Sequence, residues 1–139
     1  MPEIFVFDKT EEYKRWVAEV DAKLTGTERA VLSISKTAVD NFDTHACDSV
    51  PNKPGIYLIW VNEIIKYIGK DDDLRDRIKQ HSVSRPTTTH TKRAKVKEAL
   101  DNNLPIYFTY VRVEPLDLRA ALESSLQRKY KPEWCDRID

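Results

Sequence analysis

Between residues 54 and 70, in PGIYLIWVNEIIKYIGK, apolar side chains run almost unbroken on either side of Asn62-Glu63. Two short arms rich in aromatic and branched aliphatic residues, joined at a polar pair, predict an antiparallel hairpin of strands at about 55–61 and 64–69. Elsewhere the period changes. In KTEEYKRWVAEVDAKL, Tyr13, Trp16, Val17, Val20 and Leu24 recur at the spacing of one helix face. Thr10 or Asp8 offers a cap and Gly26 a stop, so a helix is predicted there. EIFVF (3–7) reads as a short strand, and TERAVLSISKTAVDNF (27–42) is ambiguous but leans to helix.

The turn-rich stretch 43–54 separates an N-terminal helical extension, residues 1–48, from a compact unit, residues 49–139. After the hairpin the pattern predicts a helix at about 72–82, opened by Asp71-Asp72-Asp73. The loop SRPTTTHT follows, then a basic helix at about 92–103 and a third strand in PIYFTYVRV (105–113). A last helix at about 116–130 stops before Pro132. The compact unit is thus β-β-α-α-β-α. The expected class is α/β (α+β): a small three-stranded antiparallel sheet flanked by helices, with the extension packed on it.

With 139 residues, 40% of them hydrophobic and 33% charged, the chain has the size of one domain with one core. There is no run of 18 apolar residues, and MPEIFVFDK lacks the basic and long apolar regions of a secretory signal. Cys47 and Cys135 show no metal-ligand spacing, so both are expected to be reduced thiols in a cytoplasmic protein without membrane contact. The net charge is zero but unevenly spread. Residues 1–65 hold 7 basic and 11 acidic side chains, residues 66–97 hold 10 and 4, and residues 98–139 hold 6 and 8. The middle third therefore carries +6, either as a solvated helical surface or as a patch for a phosphate backbone.

Tyr57 and Tyr67 stand ten residues apart. In a hairpin without bulges, a register that pairs them centres on Asn62 and places both rings on one sheet face. That requires an odd-numbered loop, Val61-Asn62-Glu63, with Asn62 in left-handed backbone angles. A two-residue turn would send the rings to opposite faces.

Gly55-Ile56-Tyr57, Tyr67-Ile68-Gly69 and the Lys70 that follows make the sequence resemble the GIY-YIG nuclease superfamily, small α/β domains that cut phosphodiester bonds with one divalent metal ion. Arg77 in LRDRIKQH matches the family's helix arginine. His81 lies where some members carry a histidine, and Glu123 in ALESSLQRKYKP matches the metal-holding glutamate. The resemblance covers about residues 50–135. One position departs: where the family usually has an asparagine, KPEWCD has Cys135, and a thiol does not replace an amide's donor and acceptor.

The resemblance implies a catalytic set of Tyr57, Tyr67, Lys70, Arg77, His81 and Glu123. Tyr57 would be the base that takes the water's proton, Tyr67 its aligning partner, and Lys70 the charge that stabilises a phenolate. Arg77 would meet a phosphate, since a guanidinium on a helix face turned to the sheet needs an anion. Glu123 would hold one Mg²⁺ or Mn²⁺ that keeps several waters. Both tyrosines could equally be ordinary sheet residues, and Glu123 an exposed helix pair with Arg119. Arg85, Lys92, Arg93, Lys95 and Lys97 would track the backbone of the substrate, DNA with RNA left open. Asp71-Asp72-Asp73 needs no metal, because capping and the helix dipole explain acids at a helix start. The implied activity is a metal-dependent DNA endonuclease. The alternative is a nucleic-acid-binding module of the same fold without catalysis. A double-strand break would favour a homodimer.

Overall fold

The apolar run GIYLIWV is buried at every position because it becomes the central strand of the sheet, paired on both edges and covered on both faces. The structure is a computed structural model that describes residues 10–33, 49–81 and 92–135. Its elements are α1 (Thr10–Gly26), β1 (Ala30–Ser33), β2 (Gly55–Val61), β3 (Ile64–Asp71), α2 (Leu74–Gln80), α3 (Arg93–Asp101), β4 (Ile106–Arg112) and α4 (Leu116–Tyr130). The sheet runs β1-β4-β2-β3 with every neighbouring pair antiparallel.

The expected three-stranded sheet is β4-β2-β3, and the order of the compact unit is as its pattern indicated. The reading of 27–42 as helix is overturned at residues 30–33, where AVLS forms β1 and extends the sheet to four strands. Four residues are too few to show a period, and β4 supplies the hydrogen bonds that make them a strand. The strand expected at 3–7 and the loop SRPTTTHT lie outside the described residues.

Alternation along β2 sorts the core into two layers. Tyr57, Ile59 and Val61 face α2 and α3 and pack with Leu74, Ile78, Val96, Leu100, Phe108 and Trp134. Ile56, Leu58 and Trp60 face α4 and α1 and pack with Ile68, Leu122, Leu126 and Leu24. The apolar stripe of α1 is used here: Tyr13, Trp16, Val17 and Val20 join this second layer, and the Tyr13 hydroxyl donates to the Ala121 carbonyl at 2.8 Å.

Helix α4 runs along β3 in a matched ladder. Residues 119, 123 and 127 are about 6 Å apart along a helix axis, close to the rise of two strand residues. Gln127 donates to the Ile68 carbonyl (3.0 Å), Glu123 accepts from the Lys70 backbone, and Arg119 donates to Asp72 (2.6 Å). Arg119 therefore does not serve Glu123. Its guanidinium is 3% exposed, and its Nε and Nη1 have no hydrogen-bond partner among the described residues.

The three consecutive acids have separate duties. Asp73 caps α2 by accepting from the Asp76 N–H at 3.1 Å, Asp72 holds Arg119, and Asp71 lies 3.8 Å from Arg77. Capping thus accounts for one acid, and counter-charge for the other two. Among the described residues no three acidic, histidine or cysteine side chains gather as a metal cluster, and no helix is long and apolar enough to cross a membrane.

A buried cation with two orphaned donors is a stability cost that an apolar residue of similar length would remove. Arg119→Met is expected to be at least as stable as the wild type in urea unfolding. Asp72→Ala, which strands the guanidinium, is expected to lose about 1–3 kcal/mol. A large loss in Arg119→Met would contradict this account.

Candidate active site

The hairpin reaches its expected end by a different route. Val61 pairs with Ile64, so the turn has two residues, Asn62-Glu63, and not three. Tyr57 faces Gly69 and not Tyr67. Both rings nevertheless share a face, because a bulge between Ile59 and Trp60 inserts Lys66 and shifts the parity of the outer half of β3. Ile59 then pairs with Tyr67, and the two rings sit 6.0 Å apart between centroids. Asn62 has the expected positive φ, 52°. The parity rule held only for unbulged strands, and no residue in the sequence marks the bulge.

Gly69 explains its own place. A Cβ there would lie 2.6 Å from both Cζ and Oη of Tyr57, so the bare backbone is the floor on which that ring rests. At the other arm, a Cβ on Gly55 would meet the Val111 carbonyl at 2.3 Å.

Tyr57 is fully buried, and its oxygen lies 2.7 Å from His81 Nε2. The backbone N–H of Lys92 donates to His81 Nδ1 at 2.8 Å. Burial first, then the charges of Arg77 and Lys92, lower the His81 pKa to about 3, so the ring is neutral. A neutral imidazole that accepts at Nδ1 carries its proton on Nε2, so His81 donates to Tyr57. Arg77 also donates to the Tyr57 oxygen. The Tyr57 hydroxyl in turn hydrogen-bonds to Tyr67. Burial pushes Tyr57 well above the ordinary phenol range, Tyr67 adds to this, and Arg77 opposes it.

Tyr67 is the outer member of this chain, half-buried where Tyr57 is sealed. Burial raises its pKa, Cys135 and Glu123 add to that, and Arg77 and Tyr57 pull it back. The charges of Arg77 and Glu123 and the Cys135 thiol therefore all act on the Tyr67 phenol. The Lys92 ammonium lies over its ring, 5.5 Å from the centroid. Arg77 itself is braced by Asp71 and by Gln80 Oε1 at 3.2 Å. Burial raises the pKa of Glu123, and Lys70 opposes this.

Lys70 pairs with Ile56 and so belongs to the α4 side of β3, beside Glu123. The cation on both phenols is Arg77. Cys135 donates to the Ile68 carbonyl at 3.6 Å. Of the basic residues, Lys92 is at the rings, while Lys95 is exposed on the next turn. Lys97 is two residues and about 200° further round α3, paired with Asp101 at 3.1 Å. Arg85 and the side chain of Arg93 fall outside the described residues. Asp71 as the brace of Arg77 and Gln127 as the tie to β3 were not singled out from sequence. Both are common surface residue types, and only the partner each meets gives it a role.

The residues gathered here suit one divalent ion. A half-buried carboxylate without an arginine partner among the described residues offers a hard oxygen, and a single protein ligand leaves the remaining positions to water and phosphate.

Residues 53–136 match the family model of the GIY-YIG catalytic domain. No curated protein sequence matches the chain. Among solved structures, a point mutant of the GIY-YIG N-terminal endonuclease domain of UvrC from Thermotoga maritima, bound to its catalytic divalent cation, is 25% identical with a TM-score of 0.53. That match covers 67% of this chain and 93% of the other. The same domain bound to magnesium is 24% identical with a TM-score of 0.51, covering 66% and 92%. A mutant of EndoII from bacteriophage T4 is 22% identical with a TM-score of 0.56, covering 88% and 98%. The last two bear on fold alone.

Gly69→Ala is expected to cost about 1–3 kcal/mol in urea unfolding by driving a methyl into the Tyr57 ring. Gly26→Ala, where a Cβ meets nothing within 4 Å, is expected to be neutral or slightly stabilising. His81 gives a pH signature. Its folded pKa, about 3, lies below the unfolded value of 6.5. Its contribution is therefore fully present above pH 6.5 and is lost as pH falls toward 3, where the unfolded chain takes a proton that the fold refuses. Thermal unfolding of His81→Gln should consequently vary less than wild type across that window; parallel curves would contradict the neutral assignment.

Proposed function

Because the chain belongs to the GIY-YIG catalytic-domain family, we propose that it is a metal-dependent endonuclease hydrolysing DNA phosphodiester bonds. The observation that carries this reading is that the charges of Arg77, from α2, and Glu123, from α4, both act on the Tyr67 phenol of β3. Glu123 would hold Mg²⁺ or Mn²⁺, which when bound supplies positive charge to the scissile phosphate.

Each remaining task falls to a side chain already placed. Tyr67 is assigned as the base, in preference to Tyr57. Tyr57 is 0% exposed, with its oxygen taken by His81 and Arg77, whereas Tyr67 is only half-buried. Tyr57 donates to the Tyr67 oxygen and so favours its phenolate. Arg77 stabilises that phenolate and presents positive charge to the phosphate. His81, held by the Lys92 N–H, fixes the Tyr57 hydroxyl from behind. Lys70 offers a charge on the Glu123 side, where a leaving oxygen would be neutralised.

One observation favours the second reading, a nucleic-acid-binding module without catalysis: the thiol of Cys135 lies against Tyr67 at the family's usual asparagine position.

Plasmid nicking with Mg²⁺ or Mn²⁺ decides between them. Wild type is expected to nick with metal and not with EDTA, and Glu123→Ala to be inert. Tyr67→Phe should lose about 10²–10⁴-fold, the range of a missing general base. Wild-type activity should rise with pH above neutrality, since burial keeps the phenolate scarce. Equal inertness of wild type and Glu123→Ala would leave the binding-module reading.

A further inference from the structure

The bulge that keeps the two phenols together also re-aims Lys66. In an even strand Lys66 would point away from the face that Tyr67 uses. As the inserted residue it instead lines a cleft of about 140 Å³ with Val61, Ala99 and Trp134, all members of the tyrosine-side layer. Its carbonyl accepts from the Trp134 N–H at 2.9 Å, which ties the segment after α4 to the bulge. Lys95 lines the same cleft from α3, one turn beyond the Lys92 that covers Tyr67.

Two lysines, with Glu98, thus line a notch one residue along β3 from the candidate base. The carboxylate of Glu133 now occupies it, in an ion pair with Lys66. The hydrogen bond from Lys66, its charge, and the further charge of Lys95 hold that carboxyl below its ordinary range. Glu133 is 69% exposed, whereas Lys66 is 22% exposed. The lysine is the fixed member and the glutamate the one that can leave. An exposed ion pair is worth little, so a better anion displaces it readily. The geometry is that of an anion subsite with an internal carboxylate standing in.

We propose that Lys66 and Lys95 form a second backbone-phosphate subsite, next to the one at Tyr67 and Arg77, and that Glu133 competes with nucleic acid for it. This rests on the nucleic-acid reading above and adds a positioning element with its own restraint. Contacts of this kind fix the register of the strand without reading its bases. Lys97, turned toward Asp101, has no part in it.

The test is anisotropy of a short fluorescein-labelled DNA duplex in EDTA, titrated at salt concentrations between about 50 and 200 mM. Glu133→Gln is expected to bind about fivefold tighter than wild type, the scale of one exposed ion pair. Lys66→Met, which keeps the buried stem, is expected to bind more weakly, with a salt slope shallower by about 0.9, one phosphate contact. In the double variant the gain from Glu133→Gln should vanish. Unchanged affinity in Glu133→Gln, a gain that survives without Lys66, or no binding by any of these proteins would each overturn the subsite. The readout needs no cleavage, so an inert wild type with this binding pattern would sink the nuclease reading alone. An active wild type with a flat Glu133→Gln response would sink the subsite alone.

Discussion

A phenol oxygen sealed inside an apolar core must find hydrogen-bond partners or cost the fold several kcal/mol, and the arrangement of this molecule follows from meeting that demand at Tyr57. Gly69 gives the ring a floor, His81 from the end of α2 gives the oxygen a donor, and Arg77 gives it a second. His81 is a donor there because the start of α3 supplies an N–H to its other nitrogen. One buried hydroxyl thereby fixes the mutual placement of β2, β3, α2 and α3.

The same demand separates two tyrosines that look equivalent in the sequence. With its oxygen occupied by His81 and Arg77, Tyr57 is the sealed member, and its hydroxyl is turned to Tyr67. Tyr67 is half-buried, and the charges of Arg77 and Glu123 act on its phenol. Each arginine is governed by the acid that balances it. Asp71 braces Arg77 where its charge faces the phenols, while Asp72 draws Arg119 away from Glu123. Among the described residues Glu123 is left as a carboxylate without an arginine, the state in which it suits a hard cation.

Much of this was legible beforehand. The two triplets, the helix arginine and the last-helix glutamate mark their positions by residue type and spacing, and the strands and helices of the compact unit follow from period and turn chemistry. Where the reading failed, the cause was an interaction that leaves no local mark. AVLS is a strand because β4 lies beside it. The hairpin turns in two residues and not three because a bulge in β3 restores the parity of the two rings.

By itself, then, the sequence determined which side chains exist to be gathered and the secondary structure that carries each one, because periodicity, caps and turn residues act over a few neighbours. The tertiary structure alone decided the direction of the protons at Tyr57 and His81 and the partners of Arg119 and Lys66. Those depend on burial and on contacts between segments tens of residues apart, and a one-residue bulge or a single backbone N–H is enough to set them.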